Sequence, residues 1–131
     1  MFSFNYVVEL VPIHKDERGE ILAVKGLLED NREFTFLGVK AGFARGGCLH
    51  TEDEWFVVIN GKIKVVIGNE EKLFSKGESA LLPKGTPHAF VGVEDSIVAE
   101  WGIKTQEKEN DIKDKELREK VDSINKQRRG R

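Results

Sequence analysis

Short apolar runs separated by glycine-containing turns fill the chain as far as residue 103 and predict β-strands. The runs recur at roughly 8 to 12 residues, the spacing of an all-β sandwich or barrel. They are Tyr6–Pro12, Ile21–Leu27, Phe34–Val39, Glu54–Ile59, Lys62–Ile67, Ser79–Leu82, His88–Val93 and Ser96–Gly102. We therefore expect an all-β domain over roughly residues 5 to 103.

The runs EWFVVI and KIKVVI are joined by Asn60-Gly61. A two-residue Asn-Gly loop supplies the two positive φ values of a type I′ turn. The sequence therefore predicts a hairpin between these two runs. It also predicts a loop from His14 to Gly19, between the first two strands.

After Gly102 the composition changes to Lys, Glu, Asp, Asn and Gln. Within this segment Leu117, Val121 and Ile124 follow one another at i, i+4 and i+7, which is a narrow helical stripe. We expect one amphipathic helix from about Lys113 to Lys126. The predicted organisation is a β-barrel domain, residues 1–103, followed by a charged C-terminal helix or tail, residues 104–131.

Length and charge exclude several classes of protein. A chain of 131 residues accommodates one ordinary core. Residues 1–103 hold 11 Lys/Arg against 16 Asp/Glu, a net of −5, and residues 104–131 hold 10 against 7, a net of +3. An acidic body without a basic stripe argues against a nucleic-acid partner. The longest apolar run, Trp55–Ile59, is far below the roughly 18 residues of a membrane span, so no membrane partner is expected.

The compartment is predicted from one cysteine and from the N-terminal residues. Cys48 stands alone, so no intrachain disulfide can form. The stretch MFSFNYVVEL lacks the basic start and the cleavage site of a signal peptide. We expect a cytoplasmic location.

Candidate chemistry is concentrated in two stretches, GFARGGCLHTEDEWFVVING and GESALLPKGTPHAFVG. Residues two apart in a strand share a face, so Cys48 and His50 point the same way. A turn after His50 allows Glu54 to return beside it, and another turn delivers His88 into a strand. If these faces line a barrel, a thiolate, two imidazoles and a carboxylate converge, a ligand set suited to Zn or Fe.

Simpler interpretations of the same residues stay open. His50 and His88 also fit barrel-lining histidines that are hydrogen-bonded to carbonyls. Glu54 also fits an edge position facing water, and Cys48 also fits a small packed hydrophobe.

The two stretches resemble the paired motifs of the cupin superfamily, which are small antiparallel β-barrels of jelly-roll type. They span Gly42 to Gly92. The resemblance implies that His50, Glu54 and His88 occupy three of four metal-ligand positions. It also implies that Cys48 occupies the place of the first histidine.

The segment HKDERGEIL followed by FARGGCLH is similar to small cupins of nucleotide-sugar and capsular-polysaccharide metabolism. That resemblance implies an isomerase acting on a nucleotide-linked or phosphorylated sugar. His50, His88 and Glu54 would be catalytic, and Arg45 would bind phosphate. In a straight strand Arg45 alternates away from Cys48, so this role requires a bulge at Gly46-Gly47.

Two other functions stay open at this point: a non-catalytic small-molecule binding or sensor module, and a metal-dependent oxygenase. A sugar-like ligand is expected for the isomerase and for the binding or sensor module. We expect a homodimer, because antiparallel sandwiches leave edges that a second copy can cover. Abundant Glu and Lys with only two Gln resembles thermophile composition and predicts high thermal stability.

Overall fold

In the computed structural model, which describes residues 9–104 and 112–130, antiparallel strands are followed by one helix. The strands are β1 (Glu9–Asp16), β2 (Gly19–Lys25), β3 (Arg32–Val39), β4 (Ala44–Leu49), β5 (Glu54–Asn60), β6 (Lys62–Ile67), β7 (Glu70–Ser75), β8 (Ser79–Leu82), β9 (His88–Gly92), β10 (Ser96–Lys104) and β11 (Ile112–Lys113). The helix, α1, is Lys115–Arg129.

The strands form two sheets. One has six strands in the order β1-β2-β3-β10-β5-β8, and the other has five in the order β11-β4-β9-β6-β7. The core between them is apolar and consists of Leu37, Val39, Phe56, Val58, Ile63, Val65, Phe74, Leu82, Phe90 and Val98. The expected all-β, cupin-type jelly roll with a C-terminal helix is confirmed.

The predicted hairpin at Asn60-Gly61 is wrong, because β5 and β6 lie in different sheets. Asn60 pairs with Ile97 of β10, whereas the Lys62 backbone N–H donates to Ser96 Oγ at 2.9 Å. Gly61 has a φ of +88°, and a Cβ there would lie 2.5 Å from the Asp95 carbonyl oxygen. Asn60-Gly61 is therefore the point at which the chain crosses between sheets, and glycine is needed there for close approach as well as for its φ.

A two-residue hairpin occurs one strand later, between β6 and β7. Ile67 pairs with Glu70 across Gly68-Asn69, and Gly68 has a φ of +60°. A glycine in the first central position is typical of a type II′ turn. The sequence pattern missed β7 because this strand, EEKLFS, buries only Phe74.

The first hairpin is tighter than predicted. Asp16 pairs with Gly19, so β1 includes His14 to Asp16 and the turn itself is Glu17-Arg18. The predicted strand Tyr6–Pro12 is seen from Glu9 onward, and residues 6–8 lie outside the described residues.

Helix α1 lies on the outer face of the five-stranded sheet. Asp114 caps its N-terminus by accepting a hydrogen bond from the Leu117 N–H at 3.0 Å. Leu117 and Val121 pack against small side chains of β4, β6 and β9, with Ile124 beside them. Within the described ranges, no helix has the length and apolar content needed to cross a bilayer.

Asn125 attaches the other end of α1 to β4. Its Oδ1 accepts from the Ala44 N–H at 2.7 Å, and its Nδ2 donates to the Ala44 carbonyl at 3.0 Å. The amide thereby provides hydrogen-bond partners for both the N–H and the carbonyl of Ala44, as a neighbouring strand would. Asn125 is buried, at 3% exposure.

Candidate functional site

Three ligand-type side chains converge between the sheets. His50 follows β4, Glu54 opens β5 and His88 opens β9, and all three are buried. One Glu54 oxygen lies 3.7 Å from His50 Nε2 and 3.6 Å from His88 Nε2. The ligand atoms of the three residues all lie within 4.8 Å of one another. The predicted convergence of these residues is therefore seen in the structure.

The turns that carry these residues are hydrogen-bonded to each other. The Gly85 N–H donates to the His50 carbonyl at 2.7 Å, and the Lys84 N–H donates to an Asp53 carboxylate oxygen at 2.9 Å. The segment after β4 is thereby held against the turn that precedes His88. These hydrogen bonds explain how His50 and His88, 38 positions apart in the chain, come together. Both side chains are buried there.

The ring of His88 is oriented by its own strand entrance. His88 Nδ1 lies 3.3 Å from the Thr86 carbonyl oxygen. Because a carbonyl oxygen only accepts, a hydrogen bond here requires the proton on Nδ1, and in the neutral ring that tautomer leaves Nε2 unprotonated. Nε2 is the atom directed at Glu54. A second hydrogen bond of this kind commonly orients histidines that bind metals or transfer protons.

The donor set of His50, Glu54 and His88 fits a divalent metal. Ligand atoms at about 2.0–2.2 Å from an ion lie about 3.0–3.6 Å apart, close to the 3.7 and 3.6 Å between Glu54 and the two histidines. Two imidazoles and one carboxylate with open positions suit non-haem Fe(II) and also catalytic zinc.

Cys48 lies beside this group without belonging to it. The residue pairs with His88 across β4 and β9, and it is half-buried. The three-residue ligand group does not include its sulfur. Its role as a fourth ligand stays a prediction.

Two members of the group, His50 and His88, line a cavity of about 250 Å³ between the sheets. Its charged and polar lining comes from β3, β4 and the residue after it, β9, β10, the first hairpin and α1. It consists of Arg18, Thr35, Arg45, Cys48, His50, His88, Glu100 and Arg118. A larger depression of about 540 Å³ lies outside the barrel beside the first turn of α1 and contains none of the described histidines.

Arg45 is buried, and its guanidinium is already hydrogen-bonded to the backbone. The strand register shifts between Gly46 and Cys48, so the expected bulge is present, and Arg45 lines the same cavity as Cys48. Its guanidinium donates to the Gly38 and Gly19 carbonyls at 2.9 and 2.6 Å. Burial lowers the pKa of Arg45, although arginine remains charged. Its role in phosphate binding stays a prediction.

Four charged or polar lining residues were missed by sequence reasoning: Arg18, Thr35, Glu100 and Arg118. Glu100 is buried at 5% exposure, and its signal is the period-two alternation with Ser96 and Val98 on the inner face of β10. Arg118 follows the apolar stripe of α1 by one position. No sequence signal identified it, since the pattern did not show which surface the helix covers.

The comparisons with known proteins agree with this geometry. A family model described as "Cupin domain" matches residues 39–102, the region that contains all three members of the ligand group. The chain carries a cupin domain. The resemblance stated from the two motifs is thereby confirmed.

One curated relative of this cupin is UDP-2-acetamido-2,6-beta-L-arabino-hexul-4-ose reductase from Pseudomonas aeruginosa. It is 29% identical over 119 residues, which cover 82% of this chain and 31% of the relative. The chain thus spans about a third of the length of that protein.

Solved structures share the fold. The capsular polysaccharide assembling protein CapF from Staphylococcus aureus aligns with a TM-score of 0.60 and 24% identity, covering 75% of this cupin and 31% of CapF. KdgF from Halomonas sp. aligns with a TM-score of 0.59 and 20% identity, covering 70% and 83%. Oxalate decarboxylase from Bacillus subtilis aligns with a TM-score of 0.70 and 21% identity, covering 87% and 32%.

Proposed function

We propose that this cupin is an isomerase that transfers a proton between neighbouring carbons of a nucleotide-linked or phosphorylated sugar. The observation that carries the proposal is the convergence of His50, Glu54 and His88 beside a small cavity that His50 and His88 line. Two imidazoles and a carboxylate supply the acid and base groups that such a reaction needs near neutral pH.

The reaction requires one base and one shuttle. The base removes a proton from the carbon next to the carbonyl, and the C–H electron pair forms the double bond of an enediol as the carbonyl oxygen takes up a proton. Return of a proton to the former carbonyl carbon, with loss of the proton from the neighbouring hydroxyl, completes the isomerisation. In this proposal His88 Nε2 and His50 exchange protons with carbon, and Glu54, which lies near both, relays protons between the oxygens.

His50, Glu54 and His88 are also the residues that would hold a divalent metal, and a histidine nitrogen bound to the ion would not at the same time take a proton from carbon. When bound, such an ion supplies Lewis-acid polarisation of the sugar carbonyl and stabilises the developing negative charge on its oxygen. Zn and Fe both fit the donor set.

The size of the cavity limits what enters it. Ligand pockets commonly measure about 300–1,000 Å³, and this one measures about 250 Å³. We infer that one sugar ring occupies the lumen and that a phosphate or nucleotide group lies at the opening.

The relatives support a sugar substrate. The Pseudomonas aeruginosa relative is named as a reductase of a UDP-linked hexulose, and CapF is named for capsular polysaccharide assembly. Because this chain spans only about a third of that reductase, we do not carry the reductase activity over to it.

Incubation with candidate ketose and aldose phosphates and nucleotide sugars in deuterated water tests the proposal. We expect deuterium to appear at carbon in the wild type and to be lost in His50→Gln and His88→Gln. His14→Gln is the matched control, because His14 is half exposed and lies outside the cavity. A sugar that binds the wild type without any exchange at carbon would contradict the isomerase and leave a binding or sensor module. Oxygen uptake by the iron-loaded protein would instead indicate an oxygenase.

A further inference from the structure

Helix α1 contributes to the cavity as well as to the outside of the barrel. Arg118 lines the cavity together with Cys48, His50 and His88. The helix reaches this position because Gly47 has no side chain: a Cβ there would lie 2.6 Å from Arg118 Cδ and 3.1 Å from Arg118 Cα. Gly47 therefore admits the first turn of α1 to the edge of the site.

The three arginines of the cavity differ in their partners. Arg18 is paired with Asp16, donating to its Oδ2 from both Nε, at 2.9 Å, and one terminal nitrogen, at 2.7 Å. Arg45 donates to two backbone carbonyls, and its side chain is 5% exposed. The guanidinium groups of Arg18 and Arg45 are thus engaged in hydrogen bonds within the protein.

Arg118 has fewer partners and more solvent access. Among the described residues, its guanidinium donates to the Gly46 carbonyl at 2.8 Å and lies 3.6 Å from an Asp122 oxygen. The Asp122 side chain is 67% exposed, and an exposed pair of this kind is weak. The Arg118 side chain is 33% exposed, so it lies where the cavity meets solvent. Arginine carries five N–H donors, and a planar fork of two of them matches a carboxylate or a phosphate.

We propose that Arg118 binds the anionic group, carboxylate or phosphate, of the ligand that occupies the cavity. This inference rests on the proposed function, because it assumes a sugar-like ligand in the lumen. It assigns anion recognition to α1 in place of Arg45. The ligand's uncharged ring then lies inward, toward His50 and His88, and its charged group lies outward beside α1.

Arg128 provides a matched control on the same helix. Its Nε donates to the Ala41 carbonyl at 3.1 Å, and its side chain packs against Gly42 and over the Phe43 ring. It therefore docks α1 to the sheet much as Arg118 does, but it does not line the cavity. A loss of binding caused merely by loosening α1 should appear in both variants.

The test is titration calorimetry of wild type, Arg118→Gln, Arg118→Lys and Arg128→Gln with glucose 6-phosphate, glucuronate, UDP-glucose and glucose. We expect the wild type to bind an anionic probe more tightly than glucose, and Arg118→Gln to weaken that binding at least tenfold. Arg118→Lys, which keeps the charge without the fork, should lie between them, and Arg128→Gln should match the wild type. Glucuronate and glucose 6-phosphate show whether carboxylate or phosphate is preferred.

Several results would overturn the inference: equal losses in Arg118→Gln and Arg128→Gln, unchanged binding in Arg118→Gln, or a wild type that binds no anionic probe better than glucose. If Arg118→Gln does not fold, Arg118→Lys takes its place: weaker anion binding than in Arg128→Gln supports the inference, and equal binding in the two variants overturns it. Arg118-dependent binding without deuterium exchange at carbon would overturn the isomerase alone. Exchange that is indifferent to Arg118 would overturn this inference alone.

Discussion

Cys48 and His88 are directly paired across β4 and β9, yet only His88 belongs to the group of converging ligand atoms. The pairing places a thiol next to the candidate metal ligands without making it one of them. It bears directly on which substitutions should remove a bound ion.

Metal content should depend on the histidines and not on the thiol. We expect elemental analysis of tag-free protein to find a divalent ion, Zn or Fe, that is lost from the His50→Ala/His88→Ala double variant. Cys48→Ala should retain it, because three ligands remain. An equal, sub-stoichiometric metal content in all three proteins would contradict the ligand assignment.

Asn125→Ala should destabilise the protein by about 2–4 kcal/mol. The substitution leaves the buried N–H and carbonyl of Ala44 without the amide that completes both of them. Urea unfolding measures the loss, and Gln127→Ala, at an exposed position of the same helix, is the control. Equal midpoints for the two variants would show that the amide does not attach α1 to β4.

The crossing between sheets can be tested by comparing two glycines with similar φ. Gly61 and Gly77 have φ of +88° and +85°, but a Cβ at Gly77 meets nothing within 4 Å. Gly77→Ala should therefore cost about 1–2 kcal/mol, from backbone strain alone. Gly61→Ala should cost about 3 kcal/mol or more, because its Cβ also overlaps the backbone of Asp95. Similar unfolding free energies for the two variants would contradict close packing at the crossing.

The contribution of Asp16 to the stability of the protein should be lost in acid. Hydrogen bonds from the Arg18 side chain and backbone, and from His14, lower the pKa of Asp16 well below its usual range. A carboxyl whose pKa is lower in the folded state stabilises the fold above its unfolded pKa of about 3.9. That contribution is lost as the pH falls from about 4 toward the folded pKa. Unfolding free energies of wild type and Asp16→Asn should converge on acidification, and a constant difference down to pH 2 would refute the assignment.

The outer face of the six-stranded sheet is where we expect a second copy to bind. Trp55, Ile59 and Ile97 point outward from neighbouring strands and are 42–45% exposed. Light scattering should give about twice 14.8 kDa for the wild type and a monomer for Trp55→Glu. A wild-type mass near 14.8 kDa at micromolar concentration would remove the dimer.

The residues of the ligand group were predictable because each stands at a fixed offset from turn residues within one of two motifs. Their convergence depends in addition on long-range contacts, since His50 and His88 meet where β4 pairs with β9 and Glu54 approaches them from the other sheet. The strands that pair with β5 were not predictable from such local offsets, because they are β10 and β8 and not the next strand in the chain. An Asn-Gly pair is compatible with a hairpin, but the close approach of Ser96 and Asp95 to Gly61 is a long-range contact that no local pattern contains. Arg118 was missed for the same reason, since its role depends on which surface the helix covers.

The position of β10 in the middle of the six-stranded sheet, between β3 and β5, has a consequence for synthesis of the protein. Neither β3 nor β5 can complete its hydrogen bonds until residues 96–104 have left the ribosome. The nascent chain must therefore carry unpaired strand edges through most of its translation, which is when pairing between chains is a hazard. Folding should be dominated by contacts between distant residues and should take milliseconds to seconds, as in other β-sandwiches.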